Sequence, residues 1–250
     1  MLRLSAISVG SNLFLEADEA DDVTNIPRID NGAPVQTRGD DNLALGQLLL
    51  DTGQPLAAIS FFEEAAEAGS PMALSLLGRL HDRGWYIPRN PERAAEFYRD
   101  AADCGEPWAM FHLGNLYLTG DGIPQSDAKA RDLYRASAAQ DNPKALTQLG
   151  MLTELGRSDE DESHAEDYFR RAAELGECWA AFALARICLR THREDEALAW
   201  LYRSLESGPR AYLQMLVDLL SAQDNPALRK CCAKAAELID QMNRLDNNPA

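Results

Sequence analysis

The chain lacks any run approaching the roughly 18 consecutive apolar residues that a membrane-spanning helix needs, so no span is expected. It is also short of positive charge: Lys and Arg number 24 against 40 Asp and Glu, a net charge of −16. Phosphate backbones and anionic membrane surfaces are bound by neutralising phosphate with Lys and Arg, so a nucleic-acid partner is not expected either. Cysteine is sparse and irregular. Cys104, Cys178, Cys188, Cys231 and Cys232 are odd in number and do not recur in pairs, as a secreted disulfide framework would require. They read as reduced thiols. Cys104 and Cys188 fall on helical positions where a small apolar side chain suits packing. The adjacent Cys231 and Cys232 have no nearby His or third Cys in the sequence to complete a metal site.

Catalytic patterns are missing as well. There is no serine elbow, no phosphate-cradling glycine loop and no metal-ligand spacing. Of the four histidines, His81 takes the slot that Tyr117 fills 36 residues later, and His112 takes the slot of Leu76, so both read as packing residues. The expectation is a protein that is not an enzyme and holds no cofactor or metal.

What is present is a repeat. Ala73, Ala109, Ala145 and Ala180 each open a unit; Gly78, Gly114 and Gly150 follow five residues in, and Gly84, Gly120 and Gly156 six residues after those. Tyr98 and Tyr134 recur at the same step of 36, with Phe169 one residue early. A period in the 20–50 range means stacked supersecondary units whose neighbours bury a shared core. Each unit reads as two amphipathic helices. In the unit from Ala73, Leu76, Leu77 and Leu80 share one helical face, and Ala95, Tyr98, Ala101 and Ala102 share another. Pro71, Pro107 and Pro143 stand where a first helix begins, since the first turn has no use for the missing N–H, and Gly84, Gly120 and Gly156 supply its left-handed end. Gly78, Gly114 and Gly150 lie inside helices, where glycine costs about 1 kcal/mol relative to alanine. Close approach offsets that cost: without a side chain, the first helix seats its backbone against the bulky Phe97-Tyr98 or Leu133-Tyr134 pair of the second.

Residues 1–41 do not share the repeat. Their start carries one Arg, an apolar stretch broken by Ser, Gly and Asn, and then acids without a persuasive cleavage site, a poor secretion signal. The reading is a cytoplasmic protein, with periplasmic location or export as the alternative. Residues 16–41, acidic and punctuated by Pro27, Gly32, Pro34 and Gly39, read as a flexible arm. Residues 42–208 hold four to five units, and 209–250 two closing helices and a short tail. The unit from Ala180 is degraded, with Ala185 in place of the mid-helix glycine. In the loop after Gly156 the apolar anchor gives way to Asp159, Glu160, Asp161 and Glu162, read as a solvated, mobile loop rather than a calcium site.

The spacing LG-x-x-[Y/H]-x-x-G, followed by A-x-x-[F/L]-Y-x-x-[A/S]-A, resembles the Sel1-like repeat, a relative of the tetratricopeptide repeat, over about residues 43–208. The loop 120–127 fits the family's inter-helix loop, whereas 84–91 keeps Ile87 but has Tyr86 at the second glycine. The resemblance implies an all-α fold, a right-handed α/α superhelical solenoid whose first helices line the concave face. Positions one before the opening Ala, and two, six and nine after it, form one stripe away from the buried leucines. The candidate partner-binding residues on these stripes are Arg79, Trp108, Phe111, Asn115, Met151, Trp179, Phe182 and Arg186. Two stripes begin Trp-x-x-Phe. These aromatics either pack within the array or stand as exposed anchors, Trp and Arg being the residue types that dominate interface hot spots.

The function expected is a non-enzymatic scaffold or adaptor holding a protein or peptide in its groove, in bacterial regulation or secretion. The alternative is an immunity protein neutralising a toxic secreted enzyme, since acidity suits capture of a basic toxin. Some cysteine-rich Sel1-like proteins have been linked to penicillin binding, but the regular cysteine pair that they carry in each repeat is missing, which leaves a β-lactamase-like hydrolase last.

Overall fold

In the computed structural model the described residues are 38–157, 164–222 and 224–247. They form twelve α-helices and no strand. Most of the arm expected at the amino terminus, and the acidic run 159–162, lie outside the described residues. The helices are α1 (Arg38–Asp51), α2 (Pro55–Glu67), α3 (Pro71–Arg83), α4 (Pro91–Asp103), α5 (Pro107–Thr119), α6 (Asp127–Ala138), α7 (Pro143–Glu154), α8 (His164–Glu174), α9 (Cys178–Arg190), α10 (Glu194–Ser207), α11 (Arg210–Ser221) and α12 (Pro226–Asn247). Helix α1 begins at Arg38, so residues 38–41 are helical rather than part of a flexible arm; Asp40 and Asp41 in its first turn suit the positive end of the helix dipole.

The chain divides into two compact units, one ending at Ala145 and the other beginning at Leu146. In the first, α1 packs on α2, α3 on α4 and α5 on α6, while α3 also touches α5. Proline opens α2, α3, α4 and α5. The N-caps recur with the repeat. Ser70 accepts from the Ala73 N–H, Glu106 from Ala109 N–H, and Asn142 from Lys144 and Ala145 N–H at 3.1 and 3.2 Å. Each satisfies donors that the first turn leaves orphaned. Gly84 and Gly120 close α3 and α5 in the left-handed conformation, φ 70° and 76°.

The mid-helix glycines do what the spacing predicts. A Cβ added at Gly78 would lie 2.6 Å from the Tyr98 ring, and one at Gly114 2.6 Å from the Tyr134 ring. Gly46 meets Phe62 in the same way, a contact hidden in the sequence by the shorter connector of the first unit. Each ring is fully buried, with small alanines such as Ala58, Ala94 and Ala130 letting the paired helices close around it.

In the second unit a Cβ added at Gly150 would lie 2.7 Å from the Phe169 ring, Glu177 caps α9 by accepting from Ala180 N–H at 2.6 Å, and α11 packs on α12. Helix α12 buries Leu228, Cys231 and Ala235 and presents Arg229, Lys230, Lys234 and Glu237 to solvent. A terminal helix with a polar outer face is what a stacked array requires at its end.

Candidate partner-binding faces

In the first unit the stripe of α5 carries Trp108, Phe111, Asn115 and Leu118. Trp108 is half-buried, its ring edge-on to Phe111 at 6.3 Å and tilted against His112 at 6.5 Å. Phe111 is only 1 % exposed, within 6.0 Å of the Tyr134 ring. The expectation of an exposed Phe111 is therefore corrected: it completes the aromatic layer beneath Trp108. His112 stacks on Tyr98 at 5.2 Å, in line with its reading as a packing residue, and so does His81 on Phe97 at 5.5 Å. Asn115, half-buried, accepts from Tyr134 O–H at 2.7 Å, so the side chain is oriented by the second helix of its own pair. On α3, Arg79 lies with its guanidinium 5.5 Å from the centre of the Trp85 ring. Helix α5 carries no Asp, Glu, Lys or Arg. In a chain of net charge −16 it presents an uncharged surface with one tryptophan at its edge.

The second unit treats the equivalent residues differently. Trp179 is half-buried and packs edge-on to Tyr212 of α11 at 4.9 Å. Phe182, at 2 % exposure, and Met151, at 7 %, are core residues, which corrects the expectation that they face a partner. Arg186 is not the free positive spot that its stripe position suggests: it is ion-paired with Glu154, which Arg190 also approaches at 3.7 Å. Sequence could have hinted at the pair, since Glu154 stands nine residues after Ala145 and Arg186 six after Ala180, neighbouring places on adjacent stripes.

Beside them lies a charged cluster that the sequence did not announce. Arg193 donates two hydrogen bonds to the Glu166 carboxylate at 2.7 and 2.8 Å and one to Glu196 at 3.1 Å. Arg170 reaches Glu166 at 2.8 Å and Glu196 at 3.0 Å, and the guanidinium groups of Arg170 and Arg203 each approach the Trp200 ring, 5.9 and 5.3 Å from its centre. The hydrogen bonds from Arg193 hold the Glu166 carboxyl below its ordinary value, and those from Arg170 do the same for Glu196.

Neither Cys188 nor Cys231 is poised as a nucleophile. Burial raises Cys188 and Cys231 to about 11, which keeps both protonated near neutrality. Cys104 is exposed at the end of α4, not packed as its helical position suggested. No group of three His, Cys, Asp or Glu suited to a metal occurs among the described residues, and no described helix is long and apolar enough to cross a membrane.

The helix pairs, their glycine-to-ring seats and their recurring caps match one known pattern: the Sel1 repeat profile fits residues 42–70, 71–106, 109–142 and 143–177. The chain belongs to the Sel1 repeat family. Its fold is accordingly the all-α solenoid class of Sel1 and tetratricopeptide-like repeats, built as scaffolds suited to binding other proteins. A Sel1 repeat protein from Oxalobacter formigenes is 21 % identical, with a TM-score of 0.67 over 80 % of this chain and 88 % of that one. The protective antigen c5321 of uropathogenic Escherichia coli, described as displaying an SLR fold, is 23 % identical with a TM-score of 0.64; 82 % of this chain aligns, spanning 46 % of the antigen. The immunity protein Pa5087 from Pseudomonas aeruginosa is 21 % identical, with a TM-score of 0.59 over 85 % of this chain and 84 % of that one. No curated protein sequence matches the chain. At these identities the likeness carries the fold. The Sel1 profile stops at residue 177, so the pair α9–α10, expected as a degraded unit, continues the helical array with a sequence outside the pattern.

Proposed function

We propose that this Sel1 repeat chain is a non-enzymatic adaptor of the bacterial cytoplasm that holds a protein partner against the first-helix face of α3 and α5. Trp108 is the anchor. The observation that supports this reading is the pairing of a half-buried tryptophan, supported from beneath by Phe111 and His112, with a helix bearing no charged residue in an otherwise acidic chain. An aromatic whose orientation is already fixed loses little entropy on binding, and charge is depleted at the centres of interfaces. Trp179 is the matching anchor of the second unit, with the edge of Tyr212 as its support. Phe111, Phe182 and Met151 then act by holding positions rather than by touching the partner.

The experiment is affinity capture from the native cell, followed by titration of the purified captured protein against wild type and Trp108→Ala. Binding is expected to weaken by roughly 2 kcal/mol, in the hot-spot range, while melting changes little. Unimpaired binding, or a stability loss of the 3–5 kcal/mol typical of a fully packed Trp, removes Trp108 from the interface.

A second reading is an immunity protein. It rests on the net charge of −16, which steers a basic partner toward the chain, and on the fold shared with the Pseudomonas aeruginosa immunity protein. An encoded neighbour that is toxic on its own and harmless when co-expressed with this chain supports immunity; a neighbouring kinase or secretion operon supports the adaptor.

A further inference from the structure

The loop joining α3 to α4 and the loop joining α5 to α6 have one backbone and two chemistries. Gly84 and Gly120 open them at φ 70° and 76°, and added Cβ atoms there would meet the Cβ of Arg89 at 3.0 Å and of Gln125 at 3.1 Å. Asn90 N–H donates to the His81 carbonyl and Ser126 N–H to that of Tyr117, both at 2.8 Å. Ile87 and Ile123 each pack on the hydrophobic core beside them. Two residues after the opening glycine both loops turn left-handed again, at φ 62° and 69°. In the second loop that residue is Gly122; in the first it is Tyr86.

An aromatic residue in the left-handed region is strained, because its Cβ crowds the following carbonyl. Burial does not offset the strain here, since Tyr86 is 49 % exposed. The fold does not require the residue either, as the same loop forms with glycine in the next repeat. Strain kept at an outward-facing aromatic points to a use for the side chain.

The surroundings are of one kind. Trp85 packs partly on the core of α1–α3, and the Arg79 guanidinium rests 5.5 Å from its ring. Arg79 makes no ion pair with a carboxylate among the described residues, unlike Arg89, which donates to the Asp82 carbonyl at 2.7 Å and pairs with Asp121. Residues 79–93 carry four arginines, at 79, 83, 89 and 93; Arg89 and Arg93 are matched by Asp121 and Glu96, so the positive group offered to a partner here is Arg79. The companion loop, residues 120–126, has one acid, no base and no aromatic.

We propose that Trp85, Tyr86 and Arg79, the last on the first-helix stripe of α3, form a second docking surface that does not use Trp108. It takes a protein segment that alternates carboxylates with aliphatic side chains. An aliphatic group covers the exposed Tyr86 ring, and a carboxylate meets the Arg79 guanidinium, whose fork fits two carboxylate oxygens.

The test uses the whole chain and a fluorescein-labelled peptide of alternating Glu and Leu, read by fluorescence anisotropy at low ionic strength, with a Lys-Leu peptide as control. Tyr86→Gly should weaken the acidic probe about tenfold, the scale of an aromatic hot spot, while the melting temperature stays level or rises as strain is released. Arg79→Glu should weaken the same probe at least as much, and the Lys-Leu control should be indifferent to Tyr86. Trp108→Ala, the variant on which the adaptor reading depends, should leave the probe bound, so failure of one proposal is separable from failure of the other. The inference is overturned by a clear fall in melting temperature for Tyr86→Gly, which would make the ring a packing residue. It is equally overturned by no binding of the acidic probe at millimolar concentration, or by binding that ignores both substitutions.

Discussion

The two compact units solve the same packing problem with different residues. Up to Ala145, three successive helix pairs seat a glycine against a buried ring: Gly46 on Phe62, Gly78 on Tyr98, Gly114 on Tyr134. From Leu146 onward the device appears at Gly150 on Phe169 and then gives way. Helix α9 has buried Ala185 at the glycine position, and the spacing that separates Gly46 from Phe62 falls there on Leu201, an aliphatic core residue in place of a ring. The left-handed end of the first helix, held by Gly84, Gly120 and Gly156, passes to His192 at φ 62°. The Glu166, Arg170, Arg193 and Glu196 cluster then ties α8 to α10. The difference teaches that the repeat is an interlock of glycine and ring. Where the glycine is lost the ring is lost with it, and the helix pair survives on aliphatic packing.

The largest break in this comparison should come from the ring. Tyr134→Ala removes a fully buried aromatic and should cost about 3–5 kcal/mol, measured by urea unfolding. A loss below about 1 kcal/mol would mean that the interlock is not what holds α5 to α6.

Next is a pair of mirrored substitutions. Gly114→Ala gains about 1 kcal/mol of helix propensity but drives a methyl into the Tyr134 ring, so a net loss of about 1–2 kcal/mol is expected. Ala185→Gly, with no ring to receive it, should lose only the propensity and small apolar burial, about 1 kcal/mol. Stabilisation by Gly114→Ala would show that the ring yields and the glycine is not required.

A smaller effect is expected from Glu166→Gln, about 0.5–1 kcal/mol after discounting for a cluster partly open to solvent. Its pH dependence has a definite sign. The folded-state carboxyls of Glu166 and Glu196 sit below the ordinary value of 4.5, so their contribution is fully present above that value and is lost as pH falls through the depressed folded values. Wild type and Glu166→Gln should therefore converge in melting temperature on acidification, and high salt should narrow the gap at neutral pH. A gap that widens in acid contradicts the assignment.

The smallest effect should be a gain. His192→Gly relieves a left-handed residue that carries a side chain, at the expense of a more flexible unfolded chain, and should stabilise by about 0.5 kcal/mol. A loss would show that the His192 side chain is held by the second unit and is not merely tolerated there.

The division between what could and could not be read runs along contact range. Gly78, Pro107 and Gly120 each act on backbone within a turn or on a partner helix at fixed separation, so the repeat, the helix boundaries and the glycine-to-ring seats were legible from spacing. Phe111, Phe182 and Met151 share the stripe of Trp108 and Trp179 yet are buried, because a helical stripe fixes direction and not what lies in that direction. Whether Phe111 meets solvent depends on Tyr134 filling the space beside it, and Arg186 is neutralised by a glutamate 32 residues away.

The sequence by itself determined that this chain is an array of Sel1 helix pairs, since period, proline, glycine and alanine constrain the backbone locally and repeat often enough to be unmistakable. Only the tertiary structure decided which side chains remain for a partner. Trp108 and Trp179 stay half-buried on aromatic supports, Phe111 and Phe182 vanish into the core, Arg186 is paired, and Tyr86 keeps its ring in solvent at a position built for glycine. Exposure is a property of what packs against a residue, and that is set by contacts between elements rather than by the residue or its neighbours in the chain.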